Sequence, residues 1–416
     1  MSASATRHGG DMQKLDEGTA YGIAAGEPDP DLVEVEAGTP TGELLRRYWH
    51  PFALSADAGS IPKQVRILGE DLILFRTGLG EPGLVQPRCC HRGTTLYYGK
   101  VEQDGIRCCY HGWLFGPEGE CLDMPVEPER GQDLNDGRQQ RYRQPWYPVR
   151  EYHGLLFAYL GPPERKPAFP VYDIFDSVPE GHEIVADANN IGLEGDPTPC
   201  NWFQTHENVM DPFHVFVLHA GFSGNQFVTE MAGLPKVEWH FTDQGVKSFQ
   251  DRMLDDGSWF HRVTECVMPN VRIVASPFVE IYGPSTSVAW TLPISRTETK
   301  IFTLLVRPSD APRIRAMYDG KTWPELTDEE HQQFPGDYEA QVGQGATTWH
   351  NHENLAASDR GVSMLRHVFR QQIAEVCDGA DPVGVTLQSS GGPAETRYEV
   401  QAGNFLDPDL PSPFNP

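Results

Sequence analysis

Two short segments that each contain a cysteine and a histidine are the first place where this sequence could bind a metal. Cys89 and His91 lie in the first segment, Cys108 and His111 lie in the second, and sixteen residues separate His91 from Cys108. Two thiolates and two imidazoles suit a tetrahedral zinc site. They also suit a two-iron cluster in which thiolates hold one iron and imidazoles hold the other. The ligand types alone leave both metals open, as well as a pair of buried free cysteines.

A second histidine-containing segment, Glu207-Asn-Val-Met-Asp-Pro-Phe-His-Val-Phe-Val-Leu-His, ends at His219. His214 and His219 are five residues apart, which places them about 140° apart on an ideal helix, so a regular helix would not direct both to one ion. Pro212 removes a backbone donor and favours a bulge that could turn both imidazoles inward. The alternative is a pair of histidines in the core.

The elements that must position the first segment are predicted to be β-strands. Runs beginning at Gln64, Asp71 and Gly154 are rich in β-branched and aromatic residues and are bounded by turn residues, which indicates a small antiparallel β domain. A short helix is expected over residues 42–49, ended by Pro51. The proline-rich stretch 161–170 is interpreted as an interdomain linker.

A second domain of α+β class is predicted beyond this linker. Helical spacing is expected over residues 201–219, a succession of strands over 237–306, and a helix over 361–373, where apolar residues recur every three to four positions. The tail after Pro382 is expected to pack extended on the surface. The predicted division is an N-terminal arm and helix over 1–44, the first β domain over 45–165 and the second domain over 166–416.

The first motif, Cys89-Cys-His-Arg-Gly-Thr with Cys108-Cys-Tyr-His-Gly-Trp, resembles the Rieske 2Fe-2S signature of the ring-hydroxylating oxygenases. The resemblance implies that Cys89 and Cys108 ligate one iron and that His91 and His111 ligate the other. Mixed ligation raises the cluster potential above that of an all-cysteine ferredoxin. The flanking segments look most like the phthalate dioxygenase and aromatic O-demethylase branch.

The second motif resembles the mononuclear iron site of the same oxygenases, in which an Asn and an Asp precede two histidine ligands. On this resemblance His214 and His219 bind iron with a distant carboxylate, for which Asp359 is the candidate, leaving open positions for O2. The alternative role of Asp359 is to cap the N-terminus of the final helix. Asn208 and Asp211 are assigned to catalysis. The resemblance makes Asp211 a bridge from a ligand imidazole to His111 of a neighbouring subunit.

Other side chains near the motifs are predicted not to bind metal directly. Cys90 and Cys109 are expected to pack, with a mutual disulfide as the alternative. His206 and Glu207 are interpreted as residues that support the ligands or pack around them. The histidines of the segment 348–353 are assigned to a loop without metal.

The fold implied by the resemblance is a β-rich Rieske domain joined to a catalytic domain with a curved antiparallel sheet flanked by helices, of the helix-grip type. The implied assembly is a head-to-tail homotrimer or a stacked hexamer. No Gly-rich dinucleotide fingerprint follows a strand, so electrons from NAD(P)H must come from a separate reductase, with or without a ferredoxin. A net charge of −26 argues against nucleic acid or an anionic membrane as the main partner, and the sequence reads as cytoplasmic.

The predicted substrate is an aromatic acid, because Arg252, Arg262 and Arg272 lie among apolar residues of the predicted sheet and could pair with a carboxylate. The alternative is that these arginines face solvent. O-demethylation of a methoxylated lignin-derived acid is placed ahead of cis-dihydroxylation of a phthalate- or benzoate-type acid. Two rival functions remain: an electron-transfer Rieske protein without oxygenase activity, and a zinc-binding structural protein.

Overall fold

The computed structural model describes residues 22–126, 141–190, 193–194, 196–223, 226–278, 286–312, 320–388 and 391–406. The first part of the chain builds three small antiparallel sheets, with strand orders β1-β10-β9, β2-β3-β4 and β5-β6-β7-β8. Their strands are β1 (Trp49–Leu54), β2 (Lys63–Ile67), β3 (Glu70–Arg76), β4 (Pro82–Val85), β5 (Lys100–Val101), β6 (Ile106–Arg107), β7 (Leu114–Phe115), β8 (Cys121–Asp123), β9 (Val149–Tyr152) and β10 (Leu155–Tyr159).

Two short helices, α1 (Pro30–Val33) and α2 (Pro40–Leu45), precede these sheets. The Thr39 hydroxyl accepts a hydrogen bond from the Gly42 N–H, so α2 begins earlier than expected. It also ends earlier, because Trp49 already belongs to β1. Pro51 does not end a helix; it lies inside β1, next to a register shift. The predicted helix over 42–49 is therefore wrong in both bounds.

The second part of the chain contains a large antiparallel sheet. In the described residues its order is β12-β20-β19-β18-β17-β16-β15, with β22 paired to β17. Two separate two-stranded sheets accompany it, one of β11 with β21 and one of β13 with β14. The strands of this part of the chain are β11 (Phe169–Tyr172), β12 (His182–Asp187), β13 (Asn189–Asn190), β14 (Leu193–Glu194), β15 (Lys236–Thr242), β16 (Gly245–Met253), β17 (Trp259–Val267), β18 (Val271–Ala275), β19 (Thr286–Ser295), β20 (Glu298–Pro308), β21 (Glu395–Tyr398) and β22 (Gly403–Leu406).

Helices accompany this sheet, which confirms the α+β class and the sheet-and-helix architecture. They are α3 (Trp202–Glu207), a π-helix (Val215–Phe222), α4 (Asp328–Gln333), α5 (Asp337–Val342) and α6 (Arg360–Cys377). Of these, α3 packs on β19 and β20, and α6 packs on β15 and β16. In α6 the residues Val362, Leu365, Phe369 and Ile373 are buried along one face, as their spacing predicts. No helix among the described residues is long and apolar enough to cross a membrane.

Two connecting segments contribute more to the fold than the sequence indicated. The stretch 161–170 does not behave as a free linker, because Phe169 is fully buried and β11 pairs in parallel with β21. The tail after Pro382 is not confined to the surface, because β22 extends one edge of β17 within the main sheet. Of the predicted N-terminal arm, residues 1–21 lie outside the described residues.

Candidate metal centres and active-site cavity

Two loops with the same backbone hydrogen bonds present the first set of ligands. In the first, the Cys89 N–H donates to the Thr94 carbonyl (2.9 Å) and the Gly93 N–H donates to the Cys89 carbonyl (2.8 Å). In the second, the Cys108 N–H donates to the Trp113 carbonyl (2.9 Å) and the Gly112 N–H to the Cys108 carbonyl (3.1 Å). Gly93 and Gly112 have φ values of +78° and +74°, which a side chain would disfavour.

The four proposed ligand side chains converge at these loops. Cys89 and Cys108 are buried in a small apolar cluster. The rings of His91 and His111 lie 4.5 Å apart between centroids, and His91 stacks on the Trp113 indole at 4.4 Å. Burial, with Cys108 close by, raises the pKa of the Cys89 thiol to about 12. A buried thiol pair of this kind needs a cation before it can carry negative charge, so the donor set fits a metal cluster.

The sequence did not reveal one support of this site. Gln144 is fully buried; its carbonyl oxygen accepts from the Cys90 N–H (2.8 Å) and its amide donates to the carbonyls of Gln86 and Arg88. Gln144 thus holds the first loop although it lies more than fifty residues later in the sequence. The prediction that Cys90 and Cys109 pack inside is wrong, because both are exposed and both are free thiols.

A break in the helical segment positions the second set of ligands. After α3, a 3₁₀ turn spans Asn208–Met210, the chain is non-helical at Asp211, and the π-helix follows His214. A π-helix closes its hydrogen bonds over five residues, so residues five apart return to the same side. The ring centroids of His214 and His219 are accordingly 5.3 Å apart. The irregular helix that the spacing predicted is present.

The carboxylate beside these histidines comes from Asp337, the first residue of α5. Its oxygens lie 3.7 Å from His214 Nε2 and 3.5 Å from His219 Nε2. One ligand atom from each of the three residues lies within 4.8 Å of the others. Burial by itself would raise the pKa of the Asp337 carboxyl, but His219, His214 and Arg272 outweigh it and hold that pKa well below its usual range.

This cluster fits a divalent metal. His219 is almost fully buried, and its Nε2 atom has no hydrogen-bond partner. Buried polar atoms normally have a partner, and a bound metal ion would supply one here. Two imidazoles and one carboxylate on one face form the donor set typical of non-heme iron oxygenases.

Asp359 does not take the predicted place. Its carboxylate accepts a hydrogen bond from the Ala356 N–H (2.7 Å) in a short turn that leads into α6, and it is not part of the three-residue cluster. Asp359 occupies the N-cap position of α6, as the alternative expected, but its side chain makes no capping hydrogen bond to that helix. The carboxylate that lies with His214 and His219 is Asp337, a residue that sequence spacing did not single out.

Asn208 and Asp211 lie beside the cluster in different ways. The Asn208 amide is 3.4 Å from Asp337 Oδ1. His214 Nδ1 bonds the Asp211 backbone carbonyl, whereas the Asp211 carboxylate is 3.8 Å from that nitrogen and accepts from the Phe213 N–H. The Asp211 side chain remains 32% exposed, and Asp211 also lines the cavity described next.

A cavity of about 300 Å³ opens next to the cluster, at the lower end of the range for small-molecule sites (~300–1,000 Å³). Its walls combine the helical segment with one face of the main sheet, including Arg262, Arg272, Thr264 and Ser287. The proposal that the arginines face solvent is wrong, because Arg252, Arg262 and Arg272 are all buried or nearly so. Arg252 does not line the cavity.

The two cavity arginines differ in their partners. Arg272 lies near Asp337 and donates to the Thr205 carbonyl (3.5 Å). Arg262 donates to Asn404 Oδ1 (2.8 Å) in β22, and among the described residues no ion pair joins it to a carboxylate. Burial, with Arg252 nearby, lowers the pKa of Arg262 to about 9. A buried guanidinium of this kind is stabilised by a carboxylate ligand.

The remaining candidates take supporting positions. His206 is fully buried against Trp202 and Phe369, and neither ring nitrogen has a hydrogen-bond partner. Glu207 forms a bidentate ion pair with Arg366 (2.7 Å to each oxygen). The histidines at 350 and 352 lie in a short turn that packs on the N-terminal segment, outside the metal cluster.

Comparisons with known proteins agree with these two centres. The model of the Rieske [2Fe-2S] domain matches residues 49–147. The alpha subunit of phenoxybenzoate dioxygenase from Ectopseudomonas oleovorans is 46% identical over 398 residues, which cover 93% of this chain and 94% of that protein. The chain belongs to the Rieske non-heme iron oxygenases.

Two further relatives extend this result. The oxygenase subunit of 5,5'-dehydrodivanillate O-demethylase from Sphingobium sp. (strain NBRC 103272 / SYK-6) is 30% identical over 379 residues, or 87% of this chain and 84% of that one. NdmA of Pseudomonas putida CBB5, solved with caffeine, has a TM-score of 0.59 at 18% identity and covers 89% of this chain and 98% of its own. The similarity to NdmA shows that the two chains share a fold.

As a Rieske oxygenase, the chain is an enzyme that uses a 2Fe-2S Rieske cluster and a mononuclear iron with O2. Oxygenase components of this kind receive their electrons from a reductase or a ferredoxin. The rival interpretations as an electron-transfer protein or a zinc protein are therefore set aside.

Proposed function

We propose that this oxygenase oxidises an aromatic carboxylate that carries an ether substituent. The observation that carries the proposal is Arg262, a buried cation in the wall of the cavity beside the three-residue cluster. Within the described part of the chain its partner is an amide, and no carboxylate pairs with it. A substrate carboxylate would supply the missing anion. Bidentate pairing with a guanidinium would also orient the ring toward the cluster.

The ligands of the two centres are part of the proposal. Cys89 and Cys108 would hold one iron of the cluster, and His91 and His111 the other. His214, His219 and Asp337 would hold the mononuclear iron, a set supported by their mutual distances. When bound, this iron supplies the reductive activation of O2. The protein's own part is to hold the three ligand atoms, bind the acid at Arg262 and exclude water with apolar walls such as Val215 and Phe227.

Two reaction outcomes suit this cavity. The sequence placed removal of a methyl group from a methoxylated acid first, and the relative named as an O-demethylase supports that outcome. The relative named as a phenoxybenzoate dioxygenase favours incorporation of both oxygen atoms into an aryl-ether acid. Because that relative is 46% identical over nearly the whole chain, we give dioxygenation of an aryloxy acid the first place.

A homotrimer, or two stacked trimers, would complete the electron path. Exposed apolar side chains lie near both centres: Tyr97, Tyr98 and Tyr110 beside the cluster loops, and Phe216, Val217 and Phe222 on the π-helix. Head-to-tail contact would cover both sets in a closed ring. It would also bring His111 of one subunit toward the partly exposed Asp211 carboxylate of the next. We place the enzyme in the cytoplasm, where NAD(P)H feeds such reductases.

The test is oxygen uptake with a generic reductase and a panel of methoxy- and phenoxybenzoates, each paired with its neutral amide. The acids should support uptake and the amides should not. Formaldehyde equal to the oxygen consumed would indicate demethylation, whereas a cis-diol or catechol carrying both atoms of labelled O2 would indicate dioxygenation.

The arginine is tested by Arg262→Gln. Loss of a charged hydrogen bond worth about 1.5–3 kcal/mol should raise KM for the acid by about 10- to 150-fold. Arg307→Gln, at the end of β20 outside the cavity, where the arginine pairs with Glu183, is the control and should change KM little. Equal oxidation of acids and amides by the unmodified enzyme would exclude carboxylate recognition.

A further inference from the structure

Gln226 lies between the segment that carries His214 and His219 and the segment that carries Asp337. Its side-chain oxygen is 2.6 Å from His219 Nδ1, and its backbone N–H donates to the His219 carbonyl (2.9 Å). The adjoining Phe227 ring lies 4.4 Å from the His219 ring. Two consecutive residues therefore hold the buried imidazole from its Nδ1 side and from its face.

The hydrogen bond at Nδ1 determines what the opposite nitrogen can do. An amide oxygen only accepts, so it requires a proton on His219 Nδ1 and leaves a lone pair on Nε2. Nε2 is the nitrogen that lies 3.5 Å from Asp337 Oδ2 and lacks a hydrogen-bond partner. The Nδ1–H tautomer is therefore the form in which His219 can ligate a metal beside Asp337.

Gln226 also contacts the segment that carries the carboxylate. A Cβ atom added at Gly336 would lie 3.6 Å from Gln226 Oε1 and 2.7 Å from the Trp323 ring. The glycine just before Asp337 thus packs closely between these two side chains. Gln226 contacts one ligand through its amide and, together with Trp323, leaves room beside the neighbour of another only for a residue without a side chain.

We propose that Gln226 is a positioning residue for the mononuclear iron, which fixes the tautomer of His219 and keeps the Asp337 segment in reach. The inference rests on the proposed assignment of iron to His214, His219 and Asp337. A neutral amide polarises the imidazole less than a carboxylate partner would, so this residue also sets how strongly His219 donates to the metal.

The test compares Gln226→Leu and Gln226→Glu with Gln371→Leu, a control on the exposed face of α6. In the purified holoenzyme without substrate, we measure iron and acid-labile sulfide per chain, Fe(II) affinity by competition with a chelator, and the EPR signal of the ferrous nitrosyl complex. Gln226→Leu should weaken Fe(II) binding about 10- to 100-fold with sulfide unchanged. Gln226→Glu should retain iron and change the nitrosyl EPR signal. Gln371→Leu should match the unmodified enzyme.

Two results would overturn the inference. One is unmodified Fe(II) affinity and an unmodified nitrosyl signal in Gln226→Leu. The other is loss of iron in Gln226→Leu together with an unmodified signal in Gln226→Glu, which would show a packing role only. Absence of mononuclear iron from the unmodified enzyme would instead contradict the proposed iron site itself, so the two failures are distinguishable.

Discussion

At the scale of single residues, two charged side chains of the cavity, Asp337 and Arg262, differ in how they are paired. Asp337 is surrounded by His214, His219 and Arg272, so its anion is stabilised before any metal is considered. Arg262, by contrast, has an amide as its partner. The site therefore has one carboxylate committed to the metal side and one cation available on the substrate side, which is the polarity expected for an enzyme that oxidises an acid.

The first prediction separates Asp337 from Asp359. Asp337→Ala should remove the mononuclear iron and leave the cluster, because two neutral imidazoles hold Fe(II) weakly. Iron should fall from about three to about two per chain, with about two sulfides retained. Asp359→Ala, the matched control, should keep all the iron and lose only a capping hydrogen bond worth about 1 kcal/mol. Iron loss in the control alone would restore Asp359 as the ligand.

The sequence singled out the histidines that the structure brings together and missed the carboxylate beside them for a physical reason. Cys89, His91, Cys108 and His111 lie in two compact loops, and His214 and His219 lie in one segment, so local spacing carries the information. Asp337 comes from a short helix more than a hundred residues away. Its position depends on contacts between distant segments, such as the hydrogen bond from the Gln204 amide to the Gln341 carbonyl (2.8 Å), and no periodic pattern marks it.

At the scale of elements, an ion-pair network fixes the helix that leads into the iron motif. Arg366 of α6 bonds both oxygens of Glu207 at the end of α3 and also pairs with Glu353. Burial would lower the pKa of Arg366, but the two carboxylates outweigh it and raise that pKa. The periodicity of α6 predicted its buried face; the polar network on that face was not visible in it.

The second prediction concerns this network. Arg366→Leu would leave two carboxylates with no cation, one of them buried, and should lower the free energy of unfolding by about 3–5 kcal/mol. Arg370→Leu, one turn along the same helix, breaks an exposed pair with Asp29 and should cost no more than about 1 kcal/mol. Denaturant titration of both variants measures the difference. Equal effects would show that the buried network does not stabilise the fold.

At the scale of the whole molecule, stability should depend on pH through two buried histidines. Burial lowers the pKa of His50 to about 4 and that of His206 to about 3. Both folded values lie below the unfolded value of about 6.5, so the unfolded chain binds protons first as pH falls. The contribution of these two histidines to stability should be constant well above pH ~6.5 and decrease below it, by about 2 kcal/mol per histidine at pH 5.

The third prediction isolates one of these groups. His50→Gln can still donate to the Leu45 carbonyl, which His50 Nε2 contacts at 2.7 Å, but it cannot take up a proton. The loss of stability between pH 7 and pH 5 should therefore be about 2 kcal/mol smaller in this variant. Titrating carboxylates contribute equally to both proteins, so denaturant midpoints at the two pH values give the difference. An unchanged pH dependence would exclude His50 as a proton-linked group.

The last prediction concerns electron transfer between subunits. The Asp211 backbone carbonyl already holds His214 Nδ1, so the carboxylate is not needed for that contact and remains partly exposed. In a head-to-tail ring it could instead bond His111 of the neighbouring subunit and join the two centres.

Asp211→Asn should keep both centres assembled and the cluster reducible, since the local carbonyl contact is retained. Reoxidation of the cluster by O2 in the presence of substrate should become much slower, because an amide cannot accept through both of its polar atoms. Single-turnover measurements follow this step, with Asp256→Asn in an exposed turn as the control. Fast reoxidation with normal product yield in Asp211→Asn would show that electrons reach the iron without this carboxylate.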